Sequence, residues 1–154
     1  MLASTGDASL TSTEYAYEPK NDGIRAIALV APKTSARLWS RLGNEKTAQF
    51  PEIVEALNRF AATLGRPLLL DGEVVALDAQ GQPTGFQNLQ GRIHMKVPAG
   101  GAAVAYIAFD LLQDGSEDLR ARPLRDRRRR LEAVLQGVRD RRVRISEQGA
   151  RAGG

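Results

Sequence analysis

A lysine between two acidic residues is the best candidate for covalent chemistry in this chain. Glu18, Lys20 and Asp22 are spaced two residues apart. Side chains alternate in direction along an extended segment, so we expect all three to lie on one side of it. Gly23 permits a turn before the apolar run Ile24–Val30. This pattern predicts a lysine at the mouth of a strand, pointing into whatever pocket the sheet forms.

A lysine amine becomes a nucleophile only when it loses its proton. With an ordinary pKa near ~10.4, about one amine in a thousand is neutral at pH 7, a cost of roughly 4 kcal/mol. The flanking carboxylates favour the charged form, so a nucleophilic Lys20 needs an extra cation, such as a metal ion on a nucleotide or the nearby Arg25. The alternative is an ordinary turn in which Lys20 forms a salt bridge with Asp22, because short motifs recur by chance.

Three apolar segments carry a polar residue of possible function. Lys20 precedes the first segment, Glu73 lies inside the second, and Asp110 follows Phe109 at the predicted end of the third. A carboxylate among apolar neighbours is costly to bury unless it binds something, and an aromatic face is suited to stacking on a flat base. Together these residues favour a purine nucleotide site, with the phosphates near Lys20 and Arg25. The alternatives are a solvent-facing Glu73 and a Phe109 that belongs to the core.

The apolar periodicity predicts one α+β unit. A helix begins at Pro51 and ends at Gly65. A second begins at Pro123, has Leu124, Leu131, Val134 and Leu135 on one face, and is closed by Gly137. A short helix is predicted at residues 86–90, and a turn at 79–82. Strands are predicted at residues 24–30, 36–40, 67–78, 102–112 and 143–146, the first as a central strand buried on both faces.

Composition limits the class of protein. The chain has 154 residues, 42% of them hydrophobic and 26% charged, which suits one soluble domain at residues 1–148 and a disordered tail at 149–154. No apolar run is long enough for a membrane span, and no signal peptide is visible. The absence of cysteine excludes disulfides and thiolate metal sites and fits a cytoplasmic location.

The net charge of +4 is unevenly distributed. Eleven arginines lie between Arg120 and Arg144, against three acidic residues in the same segment. The segment indicates either a polyanionic partner or a solvated helix face. His94 is the only histidine and is expected to be structural, and no spacing typical of metal ligands is present.

Several segments in order resemble the ATP-dependent DNA ligases, especially the ligase module of bacterial end-joining enzymes. The segment around Lys20 resembles the nucleophile motif of that family, and residues 40–44, with 47 and 50–53 after them, resemble its second motif and the following helix. Residues 70–78 resemble the third motif, and residues 105–112 the adjoining strand. Residues 86–92 and 119–127 also resemble segments of that family. The implied fold is the antiparallel-sheet nucleotidyltransferase core, an ATP-grasp-like fold shared with capping enzymes.

The resemblance implies a function and a role for each matching residue. Lys20 would take AMP from ATP with Mg²⁺ present, pass it to a 5′-phosphate at a nick in double-stranded DNA, and so allow the strand to be sealed during repair or end joining. Asp22 would assist the later steps. The implied nucleotide contacts are Glu18 to the adenine amino group, Phe109 to the ring, Glu73 to the ribose, and Arg25 and Arg41 to ribose and phosphates.

The chain departs from the family pattern in two ways. Asn21 stands where a large apolar residue is usual, and Leu42 where asparagine is usual. The later motifs that supply a metal-binding glutamate and the phosphate-binding lysines, and the OB-fold domain after them, do not follow Glu147. We therefore expect a partial adenylation domain, with weak or absent self-adenylylation by the isolated polypeptide and a possible partner in a separately encoded remainder.

Two other functions remain open from the sequence. An RNA ligase or mRNA-capping nucleotidyltransferase would use the same lysine chemistry, and comparing ATP with GTP binding separates the capping case. A non-catalytic nucleic-acid-binding remnant would instead use the segment from Arg120 to Arg144. Its DNA affinity would fall steeply with salt and would not change in Lys20→Ala.

Overall fold

A computed structural model describes residues 23–85, 89 and 103–146 of the chain. Within these residues two α-helices pack with a mixed β-sheet. The helices are α1 (Pro51–Leu64) and α2 (Leu124–Leu135), and a 3₁₀ turn at Thr47–Gln49 precedes α1. The strands are β1 (Ile24–Val30), β2 (Arg37–Ser40), β3 (Leu68–Ala76), β4 (Val104–Asp114), β5 (Glu117–Asp118) and β6 (Val143–Ile145).

The strands of the described region form a single sheet in the order β2-β1-β3-β4-β5. All neighbours on this path are antiparallel, and β6 pairs with β4 in parallel. β3 runs through the middle, between β1 and the long strand β4. This confirms an α+β domain with a largely antiparallel sheet, and the partner strand predicted at residues 36–40 is β2.

Both helices cover the same face of the sheet, which is called the core face below. Its strand residues include Ala26, Leu70 and Leu111, and they form one buried cluster with Ile53 of α1 and Leu131 of α2. The ends of α1 follow from its sequence, with a proline in its first turn and Gly65 in the left-handed conformation (φ 81°) after its last residue. The predicted limits of this helix are confirmed.

A glycine and a tyrosine fix the close packing of the three central strands on the core face. A Cβ atom on Gly72 would lie 2.5 Å from the carbonyl oxygen of Ile107 and 2.7 Å from Cζ of Tyr106. Tyr106 is fully buried, and its hydroxyl donates a 2.8 Å hydrogen bond to the carbonyl oxygen of Ala26. Burial, followed by the charge of Asp71, raises the pKa of Tyr106 well above its ordinary value, so it stays a hydrogen-bond donor.

Two expectations about the elements need correction. β1 is central, but only its alternate residues Ala26, Ala28 and Val30 are buried, because the helices cover one face only. β4 does not end at Asp110 but continues to Asp114 after a bulge. Leu124 shares a face of α2 with Leu131, as expected, but it is 49% exposed because the first turn of the helix extends past the core.

Of the remaining predictions about elements, two are confirmed, the cap at Gly137 is wrong, and the others are untested. The turn at residues 79–82 is present, with Gly81 at φ 81°, and β6 appears where a last strand was expected. Gly137 follows α2 but has no positive φ, so it does not cap the helix as Gly65 caps α1. The short helix predicted at 86–90 and the tail at 149–154 lie outside the described residues, apart from Leu89. Among the described helices, none combines the length and the hydropathy required to cross a membrane.

Candidate active site

The face of the sheet opposite the helices carries the candidate site, and it is called the site face below. Strand register places Arg25 of β1 opposite Glu73 of β3, and Glu73 opposite Ile107 of β4. Asp71 lies on the same face two residues before Glu73, opposite Asp110. Residues from three adjacent strands are thereby brought together, although up to 85 positions separate them in the sequence.

Arg25 and Asp71 form a bidentate ion pair at the centre of this face. Arg25 Nε donates to Asp71 Oδ1 at 3.1 Å, and Nη2 donates to Oδ2 at 2.6 Å. The side chain of Asp71 is 7% exposed, whereas that of Arg25 is 50% exposed. The hydrogen bond to Asp71 is the main cause that raises the pKa of Arg25. Nε and Nη2 of Arg25 therefore donate hydrogen bonds to Asp71, and the exposed part of its guanidinium group remains accessible to a ligand.

Phe109 lies beside this ion pair because of an irregularity in β4. The register between β3 and β4 shifts at Asp71/Gly72, so Phe109 is the extra residue between Ala108 and Asp110. The guanidinium carbon of Arg25 lies 5.5 Å from the centre of the Phe109 ring, within the range of a cation–π contact. Arg25 therefore neighbours both the carboxylate and the half-buried aromatic ring.

Asp110 is held by the second helix rather than left at a strand end. Arg127 of α2 donates from Nε to Asp110 Oδ1 at 2.9 Å, and from Nη1 to the carbonyl oxygen of Arg122 at 2.6 Å. The side chains of Arg127 and Asp110 are 18% and 15% exposed. This pair fixes the backbone next to Phe109 and so positions the ring.

Glu73 connects the site face to the start of β1. Its Oε2 accepts a hydrogen bond from the backbone N–H of Gly23 at 3.1 Å. A Cβ atom on Gly23 would lie 2.1 Å from the carbonyl oxygen of Val74, so only glycine fits here. The side chain of Glu73 is half-buried. The chain that follows the Lys20 motif is thereby tied to the predicted sugar-binding carboxylate.

Arg41 lies at the end of the sheet where β1 begins. It follows Ser40, which pairs with Ala26, so the backbone of Arg41 is adjacent to that of Arg25. Arg41 is exposed and forms no ion pair with any of the residues that the structure describes. Leu42, one of the departures from the family pattern, is 88% exposed in the turn that follows, where Gly43 has φ 90°.

The structure describes some of the predicted site residues and not others. Arg25, Glu73 and Phe109 lie together on one face of the sheet, and Arg41 lies at its edge. Glu18, Lys20 and Asp22 lie outside the described residues, so their roles stay predictions.

Sequence reasoning gave no role to Asp71 or to the pairing of Arg127 with Asp110. An aspartate inside an apolar strand two residues before Glu73 was the available signal for the first. The second depends on the docking of α2.

The acidic residues of the site face do not by themselves form a metal site. Among the described residues, no three histidine, aspartate or glutamate side chains are grouped so that they could hold a metal ion. Arg25 and Arg127 face the three carboxylates of Asp71, Glu73 and Asp110. These three carboxylates thus outnumber the two arginines that face them, and the exposed Arg41 at the edge of the sheet supplies a third positive charge.

Comparison with known proteins gives a consistent result. The family model described as "ATP dependent DNA ligase domain" matches residues 1–150. A DNA ligase of Natronomonas pharaonis is 39% identical over 142 residues, covering 88% of this chain and 25% of that protein. The multifunctional non-homologous end joining protein LigD of Pseudomonas aeruginosa is 40% identical over 125 residues, covering 80% of this chain and 14% of that protein. The chain thus spans a quarter or less of these two relatives.

Solved structures agree with the sequence comparison. The ligase domain of LigD from M. tuberculosis matches with a TM-score of 0.70 at 29% identity, covering 89% of this chain and 42% of that chain. A mycobacterial DNA ligase D complexed with ATP and MES matches with a TM-score of 0.68 at 30% identity, with the same coverage of both chains. The fold described above is therefore that of part of such a ligase domain.

Proposed function

This chain belongs to the ATP-dependent DNA ligase domain family, and from that premise we propose that it forms the nucleotide-facing part of a lysine-adenylylating site. The nucleotide is ATP, the acceptor is the 5′-phosphate at a nick in double-stranded DNA, and the nucleophile is Lys20. The observation that carries the proposal is the meeting of Arg25, Glu73 and Phe109 on one sheet face, with Glu73 bonded to Gly23 just after the lysine motif.

The reaction proceeds by in-line displacement at phosphorus. The lone pair of Lys20 Nζ attacks the α-phosphorus of ATP, the nitrogen loses its proton, and the bond to pyrophosphate breaks with its electron pair on the leaving oxygen. An oxygen of the DNA 5′-phosphate then displaces lysine from the same phosphorus. In the last step the 3′-hydroxyl attacks the 5′-phosphorus, AMP leaves, and the strand is closed.

The described residues position the nucleotide and the chain near Lys20, but they do not activate the lysine amine. Lys20 precedes Gly23 by three residues, a length of chain that reaches at most about 11 Å. Glu73 therefore holds the backbone within range of the nucleophile while its carboxylate serves as the proposed ribose ligand. Phe109 is proposed to stack on the adenine, with the exposed edge of Arg25 toward the phosphates. Glu18 is proposed for the adenine amino group, Arg41 for phosphate contacts and Asp22 for the later steps.

The described site has no excess of positive charge that would favour deprotonation of the lysine. Nearby carboxylates favour the ammonium form, and Arg25 is offset by its ion pair with Asp71. Additional cations are therefore needed, and Mg²⁺ on the nucleotide phosphates is the cofactor proposed for this purpose. The isolated chain is therefore expected to adenylylate itself only weakly.

Incubation with α-labelled ATP and Mg²⁺ tests the proposal. We expect a substoichiometric covalent label that is stable in alkali and released by acid, as a lysine phosphoramidate requires. Lys20→Arg should abolish it, and Glu73→Gln should reduce it by about tenfold or more, since a charged hydrogen-bond partner is worth about 1.5–3 kcal/mol. GTP serves as the competing nucleotide. Efficient labelling with GTP, or a label that persists in Lys20→Arg, would contradict the proposal.

A further inference from the structure

Two arginines that form no ion pair with any residue in the described ranges meet at the turn that follows β3. A Cβ atom placed on Gly81 would lie 3.5 Å from Nη2 of Arg141 and 3.8 Å from Nη2 of Arg144. Both guanidinium groups therefore border one small space beside a glycine. Nε of Arg144 donates to the carbonyl oxygen of Arg141 at 2.6 Å, which fixes the direction of its guanidinium group.

This pair differs from most arginines of its segment. Between residues 120 and 144, six of the eleven arginines form ion pairs with carboxylates within the described region. Neither Arg141 nor Arg144 forms one with a described residue. Burial, followed by the positive charge of Arg141, lowers the pKa of Arg144 from its ordinary value. Two like charges are thus held near each other without compensation from the described part of the protein.

Asp78, an acidic residue of this turn, forms no ion pair with Arg141 or Arg144. Oδ1 of Asp78 accepts hydrogen bonds from the backbone N–H groups of Gln80 and Gln82, each at 2.9 Å. Asp78 thereby shapes the turn in which Gly81 adopts its positive φ of 81°. In sequence, residues 86–102 that follow this turn contain Arg92, His94 and Lys96 but no acidic residue.

The register of the sheet relates the pair to the candidate active site. Arg144 lies opposite Ile107, which lies opposite Glu73, so all three are on the site face. The distance across two strand spacings is about 10 Å. Val143, Tyr106, Val74 and Ile24 are likewise aligned across the sheet, so Arg141 and Gly23 precede that row at the same end. The pair therefore lies at the edge of the sheet, at the end where the chain from the lysine motif enters.

We infer that Arg141, Arg144 and the turn at Gly81 form a binding site for a backbone phosphate of DNA that extends away from the adenylylation site. Guanidinium groups bind phosphate oxygens through charge-assisted, often bidentate hydrogen bonds. A glycine lets the phosphate approach the turn without a side chain in its way. A polymer suits the position better than a mononucleotide, because the site is two strands away from Glu73, on the side opposite Arg25. This inference rests on the DNA substrate of the proposed function.

A single position provides a matched pair of variants. In Gly81→Asp the new carboxylate would occupy the phosphate position and neutralise the two arginines. Gly81→Asn has nearly the same shape and the same backbone cost at positive φ but adds no charge. Binding of a labelled nicked duplex should weaken at least tenfold in Gly81→Asp relative to Gly81→Asn at low salt. The slope of log affinity against log salt should become shallower by about 1 to 2, because each phosphate contact contributes about 0.9.

A second pair of variants tests where the phosphate binds without changing the turn, in case Gly81→Asp disturbs it. Arg141→Gln/Arg144→Gln should show the same loss, whereas Arg125→Gln/Arg129→Gln removes as much charge from α2 and should lose less. Circular dichroism and thermal melting establish that each variant is folded. Equal losses in both double variants, or in both Gly81 variants, would overturn the inference.

Two further measurements separate the inference from the proposed function. Equilibrium binding of ATP should be the same in all these variants, and a loss of ATP binding with unchanged DNA binding would reassign the pair to the nucleotide and overturn the inference. A wild-type chain that becomes labelled by ATP but binds no DNA would refute the phosphate site and leave the lysine chemistry standing.

Discussion

The two faces of the sheet are built from the same strands but differ in what they hold. On the core face, Tyr106 packs over Gly72 and belongs to an apolar cluster that includes residues of both helices, and a charged cluster around Asp114 lies at the end of β4. On the site face, Arg25 and Asp71 occupy the middle of the sheet. The comparison indicates that the core face sets the spacing of the strands, while the site face uses that spacing to bring distant charges together.

The largest effect is expected where the core face has no room. Gly72→Ala places a methyl group 2.5 Å from the carbonyl oxygen of Ile107 and against the ring of Tyr106, so β3 and β4 must separate. We expect the free energy of unfolding to fall by about 3 kcal/mol or more, measured by urea denaturation. Gly137→Ala is the control, because nothing lies within 4 Å of its Cβ position. Equal losses in the two variants would contradict this account of the core face.

The central ion pair of the site face should respond differently to loss of each partner. Arg25→Gln leaves the buried Asp71 without its partner, and we expect a loss of about 2–3 kcal/mol in the free energy of unfolding. Asp71→Asn leaves an arginine that is 50% exposed and can be hydrated, so we expect only about 1 kcal/mol. Denaturation of both variants under the same conditions checks the order, and the reverse order would show that the pair is not the anchor of this face.

Much of the core face could be predicted from the sequence, because its signals are local. Pro51 and Gly65 mark the ends of α1, and the apolar runs locate β1, β3 and β4. Leu124 lies on the predicted face of α2 but is 49% exposed, because the first turn extends past the core and the first buried position of the helix is 128. Arg128 is buried there, and its Nη1 donates a 2.8 Å hydrogen bond to Oγ of Ser146. Apolar periodicity cannot reveal a buried arginine.

The site face was predicted only in part, because its contacts depend on register. Glu73 and Phe109 stand out in the sequence as polar or aromatic residues within apolar runs. The ion pair of Arg25 with Asp71 spans 46 positions and follows from the pairing of β1 with β3. The position of Phe109 follows from a bulge that no local pattern indicates. These features are tertiary, so residue types alone do not specify them.

The charged cluster at the edge of the core face is expected to have an intermediate effect that depends on pH. Burial raises the pKa of Asp114, but hydrogen bonds from Arg66 and Arg130 outweigh it and the pKa is lowered. The carboxylate therefore stabilises the fold above about pH 4, and this contribution is lost as the pH falls through the lowered pKa. We expect Asp114→Asn to cost about 2 kcal/mol at pH 7 and progressively less below pH 4. Denaturation across this pH range checks it; a constant difference would contradict it.

The smallest effect on stability is expected at the ion pair of Asp118 with Arg120. The pKa of Asp118 is lowered like that of Asp114, but Asp118 is exposed whereas Asp114 is buried. The hydrogen bonds from Arg120 lower the pKa of Asp118 to about 2, yet both side chains are more than half exposed. The partners are two residues apart, so they also meet in the unfolded chain, and salt screens them in the folded one. Asp118→Asn should therefore shift Tm by less than about 1 °C in physiological salt. A shift as large as that of Asp114→Asn would show that burial does not separate the two carboxylates, and the contrast between protected and exposed charges would then fail.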